Sequence, residues 1–351
     1  METLRRKAKP RRRSAKFDFV IALPTVPPFL SVATGAPVPP VTLDLMTSRT
    51  STPVALVAFD IDGTLMPSQG DRMSPRTIAA LHAAVAAGIE VVIATGCRAA
   101  YAMPLLSPAG LSPETILISS NGASTRDFAG TLMDRFFLSL DTARALCAEL
   151  RPFGGTMVFT FDRDGPGELV LESLDRLHDR IALWVDANLP FIEQVDPLEK
   201  VFDRGEAPMQ GMICGTVAQM AEAERHLLQT PFASQIEMHR TEYAERDLSI
   251  LDILPLGCNK GVALAKVAER LGIAQEAVMA VGDNWNDLEM LRWAGQPVLM
   301  GNASPALRKE AARGGWHITA TNDQDGAALA LETVLAVRAA ATMPEPVGQE
   351  A

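Results

Sequence analysis

Cysteine is scarce. Cys97, Cys147, Cys214 and Cys258 are the only four in 351 residues, and they stand far apart with no CxxC pair. That spacing suggests neither a zinc site nor a disulfide framework, and it fits the reducing cytosol in which the protein is expected to reside. Long apolar runs are also missing. The longest stretches are short or interrupted by Pro and Asp, so no segment is expected to span a membrane. The five histidines (His82, His178, His226, His239 and His317) form no close pair and read as surface or core residues. Basic residues are few where nucleic acid would need them. Eight of the 32 fall in the first sixteen positions, and from Met46 onward 24 basic residues face 39 acidic ones, a formal charge of −15. An acidic body argues against nucleic-acid binding, which relies on Lys and Arg to neutralise phosphates. Any anionic substrate must then be captured by a local positive site.

What remains is globular: 48% hydrophobic and 21% charged residues, with length for about two domains. Residues 1–52 stand apart. A basic cluster leads into "FDFVIALPTVPPFLSVATGAPVPPVT", which has the layout of a signal peptide, but Asp18 and several prolines interrupt the apolar part. This segment is expected to be disordered, as is a flexible tail at 341–351. From Val54 the pattern becomes regular. "VALVAFD" is a continuous β-prone run, as for a strand buried on both faces of a parallel sheet. "SPRTIAALHAAVAAG" predicts a helix capped by Ser74, opened by Pro75 and stopped at Gly88. "IEVVIATG" and "TILISSNGA" predict two more strands, with a helix between them broken near Pro104. Strand–helix alternation implies right-handed crossovers and a parallel sheet. Residues 126–247 lose that alternation and read as an inserted α+β module. It returns over 248–340, so 53–125 and 248–340 are expected to form one α/β core.

"AFDIDGTL" (Ala58 to Leu65) places two carboxylates, Asp60 and Asp62, where the first strand ends. Taken alone, an acidic turn with Asp-Gly is ordinary. "DIDG" also begins like a calcium loop, but the further oxygen residues and the closing glutamate are absent. Three other polar groups are expected at the same edge: Thr95 with Gly96, Lys260, and Asp283 with Asp287 in "GDNWND". Ligands bind at that edge of open α/β sheets. Together these groups permit phosphoryl transfer through a covalent aspartyl phosphate. A carboxylate approaches a phosphate dianion only with charge neutralised, which calls for a hard cation such as Mg²⁺. Lys260 would add positive charge, Thr95 a hydroxyl donor, and Asp62 a proton for the leaving oxygen. Each group has a plainer reading as well: Lys260 as a helix lysine, Asp283 and Asp287 as acids at a helix N-terminus.

"FDIDGTL", "IATG", "NKG" and "GDNWND", in this order, resemble the four motifs of the haloacid dehalogenase-like (HAD) hydrolase superfamily. The insertion between the second and third motifs, with "NGA" (Asn121 to Ala123) at its start, is similar to the Cof-type class IIB phosphatases. The resemblance covers Val54 to about Ala340. It implies a Rossmann-like parallel-sheet core with an inserted α+β cap, and a Mg²⁺-dependent phosphatase of small phosphorylated metabolites. Asp60 would be the nucleophile and Asp62 the acid/base. Asp60, the Asp62 backbone carbonyl and Asp283 would hold the metal, supported by Asp287. Thr95, Gly96 and Lys260 would bind phosphate, with Asn121 and Asn286 nearby. One position departs from the family's frequent "TGR": Cys97 takes the Arg place and Arg98 follows, so either Arg98 substitutes or that contact is absent. Cys97 itself reads as a packed small residue. A phosphomutase on the same core, or a non-catalytic Mg²⁺/phosphate-binding protein, are the rival readings.

Overall fold

The computed structural model describes residues 52–70, 72–153, 157–177 and 181–342. The expectations for residues 1–51, for the tail beyond 342 and for His178 lie outside the described residues.

The run at Val54 becomes strand β1 (Leu56–Phe59), flanked in parallel by β2 (Glu90–Ala94) and β12 (Val278–Gly282). Its residues alternate between two cores. Val57 and Phe59 pack with helices α1 (Pro75–Ala86), α2 (Ala99–Leu106) and α9 (Gly326–Thr342) on one face. Leu56 and Ala58 pack with α6 (Lys260–Leu271), α7 (Leu288–Trp293) and α8 (Pro305–Gly314) on the other. A strand covered on both faces has no polar side, which is why the run is continuously apolar. Burial of a side chain such as Phe59 contributes about 1.5–3 kcal/mol.

Among the described residues this sheet has eight strands in the order β14-β13-β12-β1-β2-β3-β4-β5. β3 (Ile116–Ser119), β13 (Gln296–Leu299) and β14 (His317–Ile318) continue it in parallel, while β4 (Ser124–Asp127) and β5 (Leu132–Arg135) add an antiparallel hairpin at one edge. Local chemistry sets the helix ends. The Ser74 hydroxyl accepts from the Thr77 amide with Pro75 in the first turn, and Ser304 with Pro305 repeats the device on α8. Pro104 does not break its helix. α2 runs through it, forgoing one backbone bond while Ala102 and Leu106 stay buried.

The second sheet has, among the described residues, six strands in the order β10-β11-β9-β6-β7-β8: β6 (Val158–Thr160), β7 (Leu169–Leu171), β8 (Ile192–Gln194), β9 (Gln210–Gly215), β10 (Ile236–Tyr243) and β11 (Leu248–Pro255). Helices α3 (Leu140–Leu150) and α5 (Val217–Leu227) cover one face around Phe159, Ile213 and Leu251. The short α4 (Ala182–Asn188) brings Trp184 to the other. The division between the sheets differs from the expected 126–247 at both ends. The hairpin β4–β5 extends the first sheet although it breaks the parallel pattern. β11, apolar enough to pass for a core strand, pairs between β9 and β10 over eight registered positions with β10. Among the described residues, no helix is long and apolar enough to cross a membrane.

Candidate active site

Asp60 follows β1 directly, and its backbone N–H still donates to Val281 O of β12 at 3.1 Å. The chain then makes one wide turn over Ile61–Leu65, closed by the Met66 amide on the Ile61 carbonyl. Gly63 takes φ +77° within it, and a Cβ there would run into the Asp283 carboxylate. The turn therefore delivers Asp60 inward and leaves Asp62 exposed to solvent.

Lys260, first residue of α6, is fully buried and donates to Asp60 Oδ1 and to Asp287 Oδ1, each at 2.6 Å. Asp287 uses its other oxygen to accept from the amides of Asp283 and Asn284 at 2.9 and 3.0 Å. Asp283 accepts from Thr64 Oγ1 at 3.3 Å and from Asn302 Nδ2 at 3.1 Å. One carboxylate oxygen from each of Asp60, Asp283 and Asp287 lies within 4.8 Å of the others.

Three carboxylates around one ammonium leave an excess of negative charge in a buried place. Burial, with the charge of Asp287, pushes the Asp60 carboxyl up to about 8 against the pull of Lys260. Burial and the charges of Asp287 and Asp60 likewise hold Asp283 well above the usual carboxylate range. Burial works against the Lys260 ammonium, but Asp287 and Asp60 outweigh it and its pKa is raised. A site that binds protons this avidly is short of positive charge. Its donors are hard oxygens, so the residues fit a cation such as Mg²⁺.

Asp62 is open to solvent on one side and has protein packed against the other. That packing raises its pKa, opposed by a hydrogen bond from Cys97 and by the charge of Lys260. The Cys97 Sγ stands 3.4 Å from Asp62 Oδ2. So Cys97, read as packing, also touches the second opening aspartate. Thr95 is buried and its Oγ1 accepts from the Cys97 amide at 3.0 Å, a role that leaves its hydroxyl hydrogen to donate. Asn286 Nδ2 donates to Asn121 Oδ1 at 3.1 Å, and both amides press on Gly96, where a Cβ would meet them at 3.0 to 3.3 Å. The structure thus gathers Asp60, Asp62, Thr95, Gly96, Asn121, Lys260, Asp283, Asn286 and Asp287 at one sheet edge.

Arg98 does not join them. It is 7% exposed, forms an ion pair with Glu168, gives Nε and Nη2 to Asn188 Oδ1 at 3.0 and 2.6 Å, and lies 4.0 Å over the Phe191 ring. All three nitrogens are spent on residues that belong with the second sheet, so the possibility that Arg98 replaces the missing arginine is set aside. Asn302, Asp252 and Gln210 are absent from the expectations drawn from sequence, and Thr64 stood there only as the hydroxyl after Gly63, with no role assigned. For Asp252 the available signal was an acid within an apolar strand, "LSILDILP".

A model of haloacid dehalogenase-like hydrolases matches residues 57–331. The HMP-PP phosphatase of Serratia proteamaculans (strain 568) is 30% identical over 256 residues, covering 72% of this chain and 86% of that protein. A haloacid dehalogenase-like hydrolase from Bacteroides thetaiotaomicron superposes with a TM-score of 0.65 at 26% identity, over 80% of this chain and 99% of that one. A sugar phosphatase of HAD subclass IIB shares the fold, with a TM-score of 0.65 at 23% identity over 80% and 98% of the two chains.

Proposed function

The chain belongs to the haloacid dehalogenase-like hydrolases, as a Cof-type phosphatase, and from that premise we propose Mg²⁺-dependent cleavage of small phosphate monoesters through a phosphoaspartate at Asp60. The observation that carries this reading is the buried Asp60–Lys260–Asp287 array with Asp283 beside it and Asp62 on the solvent side. Asp60, the Asp62 carbonyl and Asp283 would hold Mg²⁺, with Asp287 fixing the loop that carries Asp283. The cation, when bound, supplies the positive charge that lets a carboxylate and a phosphate dianion share one site.

Lys260 anchors one oxygen of Asp60, which restricts rotation of the carboxylate and presents its other oxygen to phosphorus. Attack forms the Asp60 O–P bond, and the P–O bond to the alcohol breaks with its electron pair going to the leaving oxygen. Asp62 gives that oxygen its proton. Burial raises its pKa, the direction a general acid needs, and its exposure lets the alcohol leave. Water then attacks the phosphoaspartate, Asp62 takes the water's proton, and the O–P bond to Asp60 breaks. Thr95 and the amide of Asn286 would donate to phosphoryl oxygens, helped by the Lys260 charge.

The second sheet stands over this edge. Asn284, next to Asp283, exchanges hydrogen bonds with the Glu242 backbone at 3.4 Å, at the end of β10. That places Tyr243 on the cap side of the site, where the substrate's alcohol would be read. A panel of phosphate esters, including the substrate of the HMP-PP phosphatases and sugar phosphates, tests the reading. Turnover should vanish in EDTA and return with Mg²⁺. Full activity in metal-free buffer would refute the site as described.

A further inference from the structure

Four polar side chains form a buried line between the two sheets: Gln210 on β9, Asp252 on β11, Asn121 in the turn after β3, and Asn286 after β12. Gln210 Nε2 donates to Asp252 Oδ1, and Asn121 Nδ2 donates to Asp252 Oδ2 at 2.9 Å. Asn286 Nδ2 donates in turn to Asn121 Oδ1 at 3.1 Å. The direction of each bond is dictated by its neighbour. An ionised carboxylate only accepts, so both amides must turn their NH₂ groups to Asp252. Asn121 is thereby obliged to present its oxygen to Asn286.

The backbone holds Asn121 for this purpose. Ser120 and Asn121 take φ values of 49° and 53°, two successive left-handed residues without a glycine, a costly conformation that persists where surroundings fix it. The far end of the line reaches the proposed phosphate loop, since the amides of Asn121 and Asn286 both crowd Gly96.

We propose that Asp252 is a positioning residue for phosphoryl transfer, whose ionised carboxylate orients the Asn121 amide and, through it, the Asn286 amide against the Thr95–Gly96 loop. The inference rests on the phosphatase reading above and adds to it a residue of the cap-side sheet. A protonated Asp252 would become a donor on one oxygen. Asn121 could then turn its own oxygen to Asp252, and its NH₂ would meet the NH₂ of Asn286, donor against donor. Burial raises Asp252 to about 7, against the hydrogen bonds of Gln210 and Asn121 and the charge of Lys260. His239 on β10 is the cross-strand neighbour of Asp252 and lies near Glu237 and Glu289. From α6 comes Lys260, while β9 and the turn after β3 offer the neutral Gln210 and Asn121.

The test compares kcat/KM for p-nitrophenyl phosphate between wild type and Asp252→Asn, with Mg²⁺ present, from about pH 5.5 to 8.5. The loss should be about tenfold or more at the alkaline end, the scale of losing an orienting partner behind a ligand. It should shrink toward parity at the acid end, where wild-type Asp252 is itself protonated. A loss of the same factor at every pH is what a purely structural role would produce, and it overturns the proposal, as does no loss at all. Gln210→Met provides the second arm, and decides alone if Asp252→Asn does not fold. It removes a donor that favours the ionised carboxylate, so the acid limb of the wild-type profile should move up in pH; an unmoved limb overturns the proposal. Failure of wild type to hydrolyse any phosphate ester would be a different result, overturning the phosphatase reading itself.

Discussion

Asp60→Asn should make the metal-free protein more stable, not less. In the folded chain the Asp60 carboxyl is raised from 3.8 to about 8, chiefly by burial and then by the charge of Asp287. A raised acid contributes its stability fully below the unfolded pKa and loses it as pH climbs through the folded one. For Asp60 that window runs from about pH 4 to about pH 8. At about 1.36 kcal/mol per unit, the full shift corresponds to about 6 kcal/mol. Asp60 shares its proton demand with Asp283, so roughly 2–5 kcal/mol is the expected gain from Asp60→Asn above pH 8. Asparagine keeps an oxygen for Lys260, so the ammonium retains an acceptor there. The assay is thermal or urea unfolding in EDTA at a series of pH values. The variant should match wild type near pH 4 and pull ahead steadily to pH 8. In saturating Mg²⁺ the ranking should reverse, because the cation stabilises only the chain that binds it well. A variant less stable than wild type throughout, or ahead by a constant margin, would refute the charge-excess account of the site.

Asp62→Ala should separate the two chemical steps. With p-nitrophenyl phosphate the leaving group needs little protonation, so attack by Asp60 survives in part while water goes unactivated. A hydroxylamine-sensitive phosphoenzyme should accumulate on Asp60, and a label on another residue would sink the mechanism. Arg98→Ala should cost about 3–5 kcal/mol in unfolding free energy, since Glu168 is left buried without its cation. Inhibition by inorganic phosphate should stay close to wild type in that variant. A large rise in the phosphate inhibition constant would return Arg98 to the phosphate site.

Much of this protein was legible in the order of its residues because the relevant physics is local. Ser74 and Pro75 start a helix by themselves, since a hydroxyl one turn from a free amide needs nothing distant. The run Leu56–Phe59 announces a strand covered on both faces, because no residue in it tolerates water well. Asp60, Asp62, Asp283 and Lys260 were recognisable together because each falls at the end of a predicted strand or the start of a helix, in motifs whose order resembles that of the haloacid dehalogenase-like hydrolases. Tertiary structure decided what depends on distance through space. Asp60 and Lys260 are 200 positions apart and meet because α6 packs on the sheet face that carries Leu56 and Ala58 of β1. The hairpin β4–β5 and strand β11 changed sheets against expectation, since an edge strand and an inserted strand look alike until their hydrogen-bond partners are known. Arg98 sits one residue from a phosphate-binding pattern, yet Glu168, Asn188 and Phe191 claim it from the other sheet. Asp252 was hidden for the converse reason. In a strand it is one acid among apolar neighbours, and only the packing of two sheets puts Asn121 within its reach.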